Sequence, residues 1–415
     1  MLAGAPPRVM LVLGSLSGGG AERVAVNLVN RCDPSAVDMR LGLLARTGQL
    51  LGEVDPRRVT APPLVRRGLV GGLGTPGDIA RMIRQVRPQV LMSFGMGVNM
   101  LTYLALRLIW RGRPRWICRD DCNSVAEIAN LRTNAVGRAT VRAGMRIVYP
   151  SADGLVGVST DMARVLERQL ALTPGRVRVI HNPIDIGGIA LLAAEPLAVA
   201  PKRPFMVTAG RLTHQKGQDL LIDAFAVSTA AREMDLVILG QGPLESVLRE
   251  RAKNLGVGDR VKFAGFQVNP WAWFSKARLF VMPSRWEGFG NVVAEALACG
   301  VPTLVTDCDF GPREQVVHGQ SGWIVPANDA AALTHGLDTV LGNQMLARRL
   351  ALGGTARAGD FDLGAIAGVY TGLFLAQATG RQGSIAPQHG LADCPFSEEH
   401  VARVLVPNET LPLHD

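Results

Sequence analysis

Residues 283–312 decide the predicted fold, and they read PSRWEGFGNVVAEALACGVPTLVTDCDFGP. The apolar run Leu279–Met282 just before them predicts a buried strand, and a glycine-rich turn follows. The pattern Asn291–Ala298 predicts a helix that ends before Pro302, and Thr303–Thr306 predicts the next strand. This strand, loop, helix and strand place unpaired backbone N–H groups at a helix N-terminus, which is an anion-binding arrangement.

Two glutamates in this stretch are candidate ligand contacts. Glu287 precedes the predicted helix and Glu295 lies inside it, about two helical turns later, so both face the same cleft. An ionised carboxylate accepts two or more hydrogen bonds and therefore suits sugar hydroxyls. The alternative is one surface glutamate and one that solvates the helix. The glycine-rich setting favours the binding interpretation.

Strands and helices alternate along most of the chain. This alternation predicts an α/β fold of doubly wound parallel sheets, with ligands beyond the carboxyl ends of the strands. A length of 415 residues favours two or three domains, and a hydrophobic content of 47% is ample for their cores. Further predicted strands are Arg8–Leu13, Arg40–Ala45, Val59–Ala61, Val90–Ser93, Leu155–Ser159, Phe205–Ala209, Leu236–Gly240, Val261–Phe263 and Gly322–Val325.

Three further groups of residues near the ends of predicted strands are candidate nucleotide contacts. Gly19 and Gly20 open a helix and form a backbone N–H cradle. Arg211 and Lys216 suit a diphosphate, because arginine binds oxygens bidentately and lysine acts as a point charge. The third group follows strand ends where the edge of a base is read, and consists of Gly240, Gly242 and Phe266.

The motifs resemble those of the retaining glycosyltransferases of family 4. Three motifs have counterparts there: Glu-Gly-Phe-Gly with Ala-Glu-Ala, Gly-Arg-Leu-x3-Lys-Gly, and Gly-Gly-Ala-Glu-Arg. The resemblance extends over most of residues 8–376. The resemblance implies a GT-B fold, with two Rossmann-like domains and a nucleotide sugar in an interdomain cleft. It implies domains at 1–187 and 188–360, a helix returning at 361–380 and a flexible tail at 381–415.

The same resemblance assigns roles to individual residues. Glu287 would contact the transferred sugar, Glu295 the ribose, and Arg211 with Lys216 the diphosphate. Arg23 would lie near the acceptor. The full set of donor contacts expected is Gly19, Gly20, Arg211, Lys216, Gly240, Gly242, Phe266, Glu287, Gly288, Phe289, Gly290, Asn291, Val292 and Glu295.

The loop after Trp116 departs from the family pattern. Many members place a histidine there, but this chain has none before His181. Arg119 and Asp121 resemble positions in a branch that acts on N-acetylated sugars, so we predict both as acceptor contacts and Arg119 also as catalytic. The alternative for Arg119 is a structural ion pair with Asp120 or Asp121.

A net positive charge is confined to residues 1–190. Residues 1–190 carry 25 Arg, no Lys and 13 acidic residues, a net charge of +12, and the remainder carries −3. The predicted helix Leu131–Tyr149 places three arginines on one face, namely Arg138, Arg142 and Arg146. Many enzymes of the family that the chain resembles use lipid-linked acceptors, so the resemblance implies contact of this face with an anionic membrane. A solvated helix face is the alternative. Residues 186–204 are rich in Ala, Gly and Pro and are predicted to be a linker.

The predicted function is transfer of a hexosyl or N-acetylhexosaminyl unit from a UDP-sugar to a glycan or lipid-linked acceptor, with retention. GDP-mannose, a non-catalytic scaffold, and a nucleotide-sugar epimerase or hydrolase are the alternatives. Six cysteines without a Cys-x2-Cys pair, and no apolar run of about 18 residues, predict a cytoplasmic enzyme peripheral to the membrane. No metal or other cofactor is expected, and no nucleic-acid motif is present.

Overall fold

The structure is a computed structural model that describes residues 5–62, 75–121, 128, 133–197 and 201–380. The chain divides into two compact units. The first contains the described parts of residues 1–17, 34–180 and 372–415, and the second those of 18–33 and 181–371. Residues 18–33 therefore group with the second unit, whereas the sequence placed them in the N-terminal domain. The boundaries predicted at residues 187, 360 and 380 remain predictions.

Seven described strands form the parallel sheet of the first unit, in the order β3-β2-β1-β4-β5-β6-β7. Their bounds are β1 Arg8–Leu13, β2 Asp38–Leu43, β3 Val59–Thr60, β4 Val90–Phe94, β5 Arg115–Asp120, β6 Gly154–Gly157 and β7 Val177–Val179. The order reverses between β1 and β4, which is where ligands bind in doubly wound sheets. Val9–Leu13 of β1 is buried throughout, as expected for a parallel strand covered on both faces.

Six described strands form the parallel sheet of the second unit, in the order β10-β9-β8-β11-β12-β13. They are β8 Phe205–Ala209, β9 Asp235–Leu239, β10 Val261–Gly265, β11 Leu279–Met282, β12 Thr303–Asp307 and β13 Trp323–Pro326. The order reverses between β8 and β11. The loops that follow these two strands carry the strongest motifs of the sequence. The predicted pair of doubly wound parallel sheets is confirmed.

The described α-helices are numbered in chain order. They are α1 Gly20–Arg31, α2 Pro76–Val86, α3 Met96–Arg107, α4 Ala135–Val148, α5 Thr160–Leu170, α6 Ile186–Ala193, α7 Gln218–Val227, α8 Glu245–Asn254, α9 Trp271–Phe274, α10 Asn291–Ala298, α11 Pro312–Gln315, α12 Ala330–Leu341, α13 Gln344–Ala358 and α14 Leu363–Thr379. The predicted helix over residues 291–298 is therefore confirmed at both ends.

The prediction that residues 186–204 are a linker is wrong for the first part of this segment, which forms α6. Asp185 caps the helix by accepting the N–H of Gly188 at 3.1 Å. Ile189 and Ala193 are buried on its apolar side. A side-chain cap and a buried face outweigh the low helix propensity of the glycine pair, which had favoured a linker. Residues 198–200 lie outside the described residues.

The predicted basic helix corresponds to α4, which is shorter at its start than predicted. Asn134 caps the first turn by accepting the N–H of Gly137 at 2.8 Å. Leu131 and Arg132, at the predicted start, lie outside the described residues. Within the ranges that the structure describes, no helix has the length and apolar character needed to cross a membrane.

Candidate functional site

The signature loop, Glu287–Gly290, joins β11 to α10 at the carboxyl edge of the second sheet. Glu287 is only 4% exposed. Lys216 Nζ lies 2.6 Å from its Oε1 atom, and Ser284 Oγ donates to the same oxygen at 2.6 Å. Oε2 accepts no hydrogen bond from the described residues. The carboxylate is therefore held by one oxygen, and its second oxygen is available to a ligand hydroxyl.

The cation loop, Gly210–Gly217, follows β8 and carries the two predicted phosphate-binding cations. They differ in their surroundings. Lys216 is partly buried and paired with Glu287, 71 residues later in the chain. Arg211 is exposed, and its guanidinium makes no ion pair with a described residue. Lys216 thus ties the cation loop to the signature loop, while Arg211 is available to an anionic ligand.

Arg285 holds the same two loops together, and the sequence analysis missed it. Its guanidinium binds the carboxylate of Asp219 through two contacts, at 2.9 and 2.6 Å. It also donates to the carbonyl of His214 at 2.7 Å, and its backbone N–H donates to the carbonyl of Gln215 at 2.7 Å. Burial and the charge of Arg285 lower the pKa of His214. Nothing in the sequence apart from its place beside Glu287 marks this residue.

The first turn of α10 has no side-chain cap. Its N-cap residue is Gly290, whose φ of 83° lies in the left-handed region that glycine adopts without steric cost. The preceding Phe289 is buried, and its carbonyl accepts a hydrogen bond from the Gln315 amide. The Phe289 ring lies 5.5 Å from the rings of both His181 and Phe361. A fixed loop before an uncapped helix suits a phosphate group.

The start of α1 lies against the start of α10. Asn291 Nδ2 donates to the carbonyl of Gly20 at 3.4 Å, and Asn182 Nδ2 donates to Asn291 Oδ1 at 2.6 Å. A Cβ on Gly20 would lie only 3.2 Å from Asn291 Nδ2, so this position favours glycine. The predicted contacts Gly19 and Gly20 thus group with the signature loop. Asn182 is not among the residues predicted from the sequence.

Glu295 lies on α10 and is partly buried. Trp271 Nε1 donates to its Oε2 atom at 3.2 Å. Burial raises the pKa of Glu295, although the Trp271 hydrogen bond and the positive charge of Arg23 oppose that rise. Burial and the nearby Glu295 carboxylate raise the pKa of Cys299, one turn further along, to about 12. Arg23, predicted to contact the acceptor, therefore lies close enough to influence Glu295 electrostatically.

The glycines after β9 pack directly on the cation loop. A Cβ on Gly240 would lie 2.0 Å from the carbonyl oxygen of Gly210, and one on Gly242 would lie 2.4 Å from that of Leu212. Both positions therefore require glycine for backbone packing. A role in reading the nucleotide base remains a prediction for both. Phe266, which follows β10, is 43% exposed.

The predicted donor contacts all lie in the second unit. Glu287 and Lys216 touch directly, as do Asn291 and Gly20. Of the members not yet described, Gly288 in the signature loop is buried and Val292 in α10 is partly buried. Among the residues described, no group of three or more His, Cys, Asp and Glu is arranged to hold a metal ion. The expectation of a metal-free reaction stays a prediction.

Arg119 and Asp121 lie in the first unit, at the end of β5. Arg119 is fully buried and forms an ion pair with Asp121. Its guanidinium also lies 4.8 Å from the centre of the Phe94 ring. Next to it, the hydroxyl of Tyr149 donates to Asp120 at 3.1 Å. The geometry is that of the structural ion pair, and the predicted catalytic and acceptor roles remain predictions.

Two family models match consecutive segments of the chain. Residues 18–187 match the family described as Glycosyltransferase Family 4, and residues 193–357 match Glycosyl transferases group 1. Anabaena Alr3699/HepE, solved in complex with UDP, superposes with a TM-score of 0.70 at 19% identity. That alignment covers 89% of this chain and 100% of HepE. The likeness confirms the GT-B fold.

Two of the curated relatives that the chain matches are named as sugar transferases. The first is N-acetylgalactosamine-N,N'-diacetylbacillosaminyl-diphospho-undecaprenol 4-alpha-N-acetylgalactosaminyltransferase of Campylobacter jejuni, which is 29% identical over 64% of this chain and 71% of the relative. The second is the lipopolysaccharide core biosynthesis mannosyltransferase LpsB of Rhizobium meliloti. It is 31% identical over 57% of this chain and 75% of LpsB. The chain belongs to glycosyltransferase family 4 and is a glycosyltransferase of glycan biosynthesis with the GT-B fold.

Proposed function

We propose that the chain moves a hexosyl or N-acetylhexosaminyl unit from a UDP-sugar to a glycan or lipid-linked acceptor, with retention of configuration. One observation carries this proposal: a buried carboxylate, Glu287, is paired with Lys216 directly before the uncapped α10. Glu295 lies eight positions later on the same helix. A cation, a helix N-terminus and two carboxylates match the diphosphate and the hydroxyls of a sugar nucleotide.

The diphosphate is the leaving group in this reaction. The bond between the sugar C1 and the diphosphate oxygen breaks, and the acceptor oxygen forms the new bond to C1. The acceptor proton passes to the leaving diphosphate. Arg211, Lys216 and the first N–H groups of α10 stabilise the negative charge that develops on that oxygen. Because these groups supply the positive charge, we propose that transfer needs no metal ion.

The two carboxylates contact different parts of the donor. Glu287 accepts hydrogen bonds from hydroxyls of the transferred sugar through Oε2, because Lys216 and Ser284 both bind Oε1. Glu295 accepts hydrogen bonds from the ribose hydroxyls. Contact with the sugar matters most when positive charge develops at C1, because an ionised carboxylate then stabilises the transition state.

UDP is the proposed nucleotide, and GDP is the second candidate. HepE, which shares the fold, was solved with UDP. The relative LpsB is named a mannosyltransferase, which keeps GDP-mannose as an alternative donor. The name of the Campylobacter relative includes a diphospho-undecaprenol, and this supports a lipid-linked acceptor.

We further propose that the first unit contacts an anionic membrane, where such an acceptor resides. On α4, Arg142 and Arg146 are exposed, and so are Val136 and Ile147, at 72% and 62%. Val136 and Ile147 lie 11 residues apart, about three turns, and therefore on one side of the helix. Trp110, next to Arg111, is 96% exposed. Exposed arginines beside apolar side chains suit a surface of anionic lipid.

The direct test is release of nucleotide from a panel of UDP- and GDP-sugars, with and without a bacterial lipid extract. The proposal predicts release from a UDP-sugar that depends on the lipid. Release from GDP-mannose would replace the donor, and release without lipid would indicate a hydrolase, an epimerase or a water-soluble acceptor. Nucleotide binding without any release would favour the scaffold alternative.

A further inference from the structure

We propose that Trp271 is a positioning residue for the donor nucleotide, an inference that rests on the proposed function. Its indole N–H holds Oε2 of Glu295 at 3.2 Å, and this leaves Oε1 of the carboxylate for the ribose hydroxyls. Trp271 itself does not touch the reacting atoms. No motif identified in the sequence includes this tryptophan.

Trp271 is attached to α10 at two points. Besides the indole contact with Glu295, its backbone carbonyl accepts a hydrogen bond from the Cys299 thiol at 3.9 Å. Glu295 and Cys299 are four positions apart and therefore neighbours on one face of α10. The start of α9 is fixed in turn, because Asn269 Oδ1 accepts the N–H of Ala272 at 3.2 Å. The indole is thus held in place independently of any ligand.

A partly buried carboxylate needs such a partner. Burial disfavours the ionised form of Glu295, and the Trp271 hydrogen bond and the charge of Arg23 act in the opposite direction. The ionised form accepts hydrogen bonds through both oxygens, whereas protonation turns one oxygen into a donor and reduces its capacity to accept from the ribose hydroxyls. Removal of the indole N–H therefore weakens ribose binding in two ways: it releases the carboxylate from its orientation, and it favours protonation.

The chain contains a matched control two residues away. Trp273 also donates its indole N–H to a side-chain oxygen, that of Gln267, at 3.3 Å. Both tryptophans are partly buried and pack against the same core. Trp271→Phe and Trp273→Phe thus remove the same group from similar surroundings, and only Trp271→Phe affects Glu295.

The experiment measures binding of UDP and of 2′,3′-dideoxy-UDP by calorimetry. GDP and 2′,3′-dideoxy-GDP are measured in parallel. We expect Trp271→Phe to weaken UDP binding by about tenfold or more, since the lost hydrogen bond is to a charged group. Binding of the dideoxy nucleotide should change by no more than about twofold. Trp273→Phe should leave both affinities within about twofold. The ratio of the two affinities does not depend on the folded fraction, so partial unfolding of a variant cannot imitate this result.

An equal effect of Trp271→Phe on both nucleotides would overturn the inference and make Trp271 a purely structural residue. An unchanged affinity for UDP would overturn it as well. The proposed function fails separately: if Glu295→Gln leaves the preference for UDP over its dideoxy form unchanged, Glu295 is not the ribose contact. The absence of binding of either nucleotide to the wild-type chain would overturn both.

Discussion

Each unit has a charged cluster at the carboxyl end of a parallel strand, and the two clusters differ in what their charges contact. In the second unit Lys216 meets Glu287 from 71 residues away, and Arg211 stays exposed beside them. In the first unit Arg119 meets Asp121, two residues later, and is wholly buried. The first arrangement joins two loops and leaves charge for a ligand, whereas the second pairs its charges within one strand end.

The difference shows what makes a charged loop a site. A charge after a strand is common, because the carboxyl ends of parallel strands carry the functional loops. The cluster of the second unit adds an uncapped helix start and a second loop packed against the first. These additions provide unpaired donors for a ligand. The following experiments compare the two clusters, beginning with the largest expected effect.

Removal of the paired carboxylate in the second unit is expected to have the largest effect. Glu287→Ala should lower the rate of sugar transfer by about 1,000-fold or more, because it removes a group aimed at developing charge. Binding of UDP should largely survive, since Glu295 and Arg211 remain. Turnover and calorimetric binding measured on one preparation test this, and near-normal turnover would remove Glu287 from the sugar site.

Removal of the buried arginine in the first unit should act on stability instead. Arg119→Ala leaves Asp121 buried without its partner and should lower the free energy of unfolding by about 3–5 kcal/mol. Chemical denaturation measures the loss. Replacement of the pair by Met at 119 and Leu at 121 should restore most of it. A fully stable Arg119→Ala protein without transfer activity would instead favour the catalytic role predicted from the sequence.

Arg211 tests whether the exposed cation acts on the diphosphate. Arg211→Ala should lower the transfer rate by roughly 100-fold, because a preorganised cation at the leaving group is lost. Arg211→Lys keeps the charge but not the bidentate geometry and should recover part of the rate. Steady-state release of nucleotide distinguishes the variants. Equal activity of all three proteins would place the diphosphate elsewhere.

The pH dependence of nucleotide binding tests Glu295. Because burial raises the pKa of its carboxyl, ionisation occurs at a higher pH than for an ordinary glutamate. Affinity for UDP should therefore rise with pH through that raised pKa and be about tenfold weaker on its acid side. Glu295→Gln should abolish this part of the dependence. An identical pH profile in both proteins would contradict the ribose assignment.

The exposed face of α4 should give the smallest effect per residue. Arg142→Gln and Arg146→Gln should each weaken binding to vesicles containing phosphatidylglycerol by about fivefold, or about 1 kcal/mol per charge. Co-sedimentation measures the change. Arg57→Gln removes an exposed charge outside this helix, one that pairs with Asp55, and is the control. If wild-type binding does not depend on phosphatidylglycerol, the membrane proposal fails.

Much of the fold was predictable because buried parallel strands are short apolar runs between turn residues. Leu279–Met282 and the helix 291–298 were predicted with their observed bounds. α6 was missed, because a glycine pair in its first turn suggested a linker and its buried face is visible only in three dimensions. The sequence likewise contains no sign of how deeply Arg119 is buried.

The candidate site was predictable in its residues but less so in its contacts. The motifs identified Glu287, Glu295, Arg211 and Lys216 individually. That Lys216 pairs with Glu287 depends on the reversal of strand order between β8 and β11, which brings their loops together. The contact between Trp271 and Glu295 depends on how α9 packs on α10. Long-range packing of this kind leaves no local pattern in the sequence.

A crystal structure of the chain with UDP would test the central claim most directly. The account predicts the diphosphate at the first turn of α10, with Arg211 in contact with it. It also predicts the ribose hydroxyls within hydrogen-bond distance of Glu295. A nucleotide bound instead at the first-unit loop of Arg119, with the second-unit cluster unchanged, would contradict it.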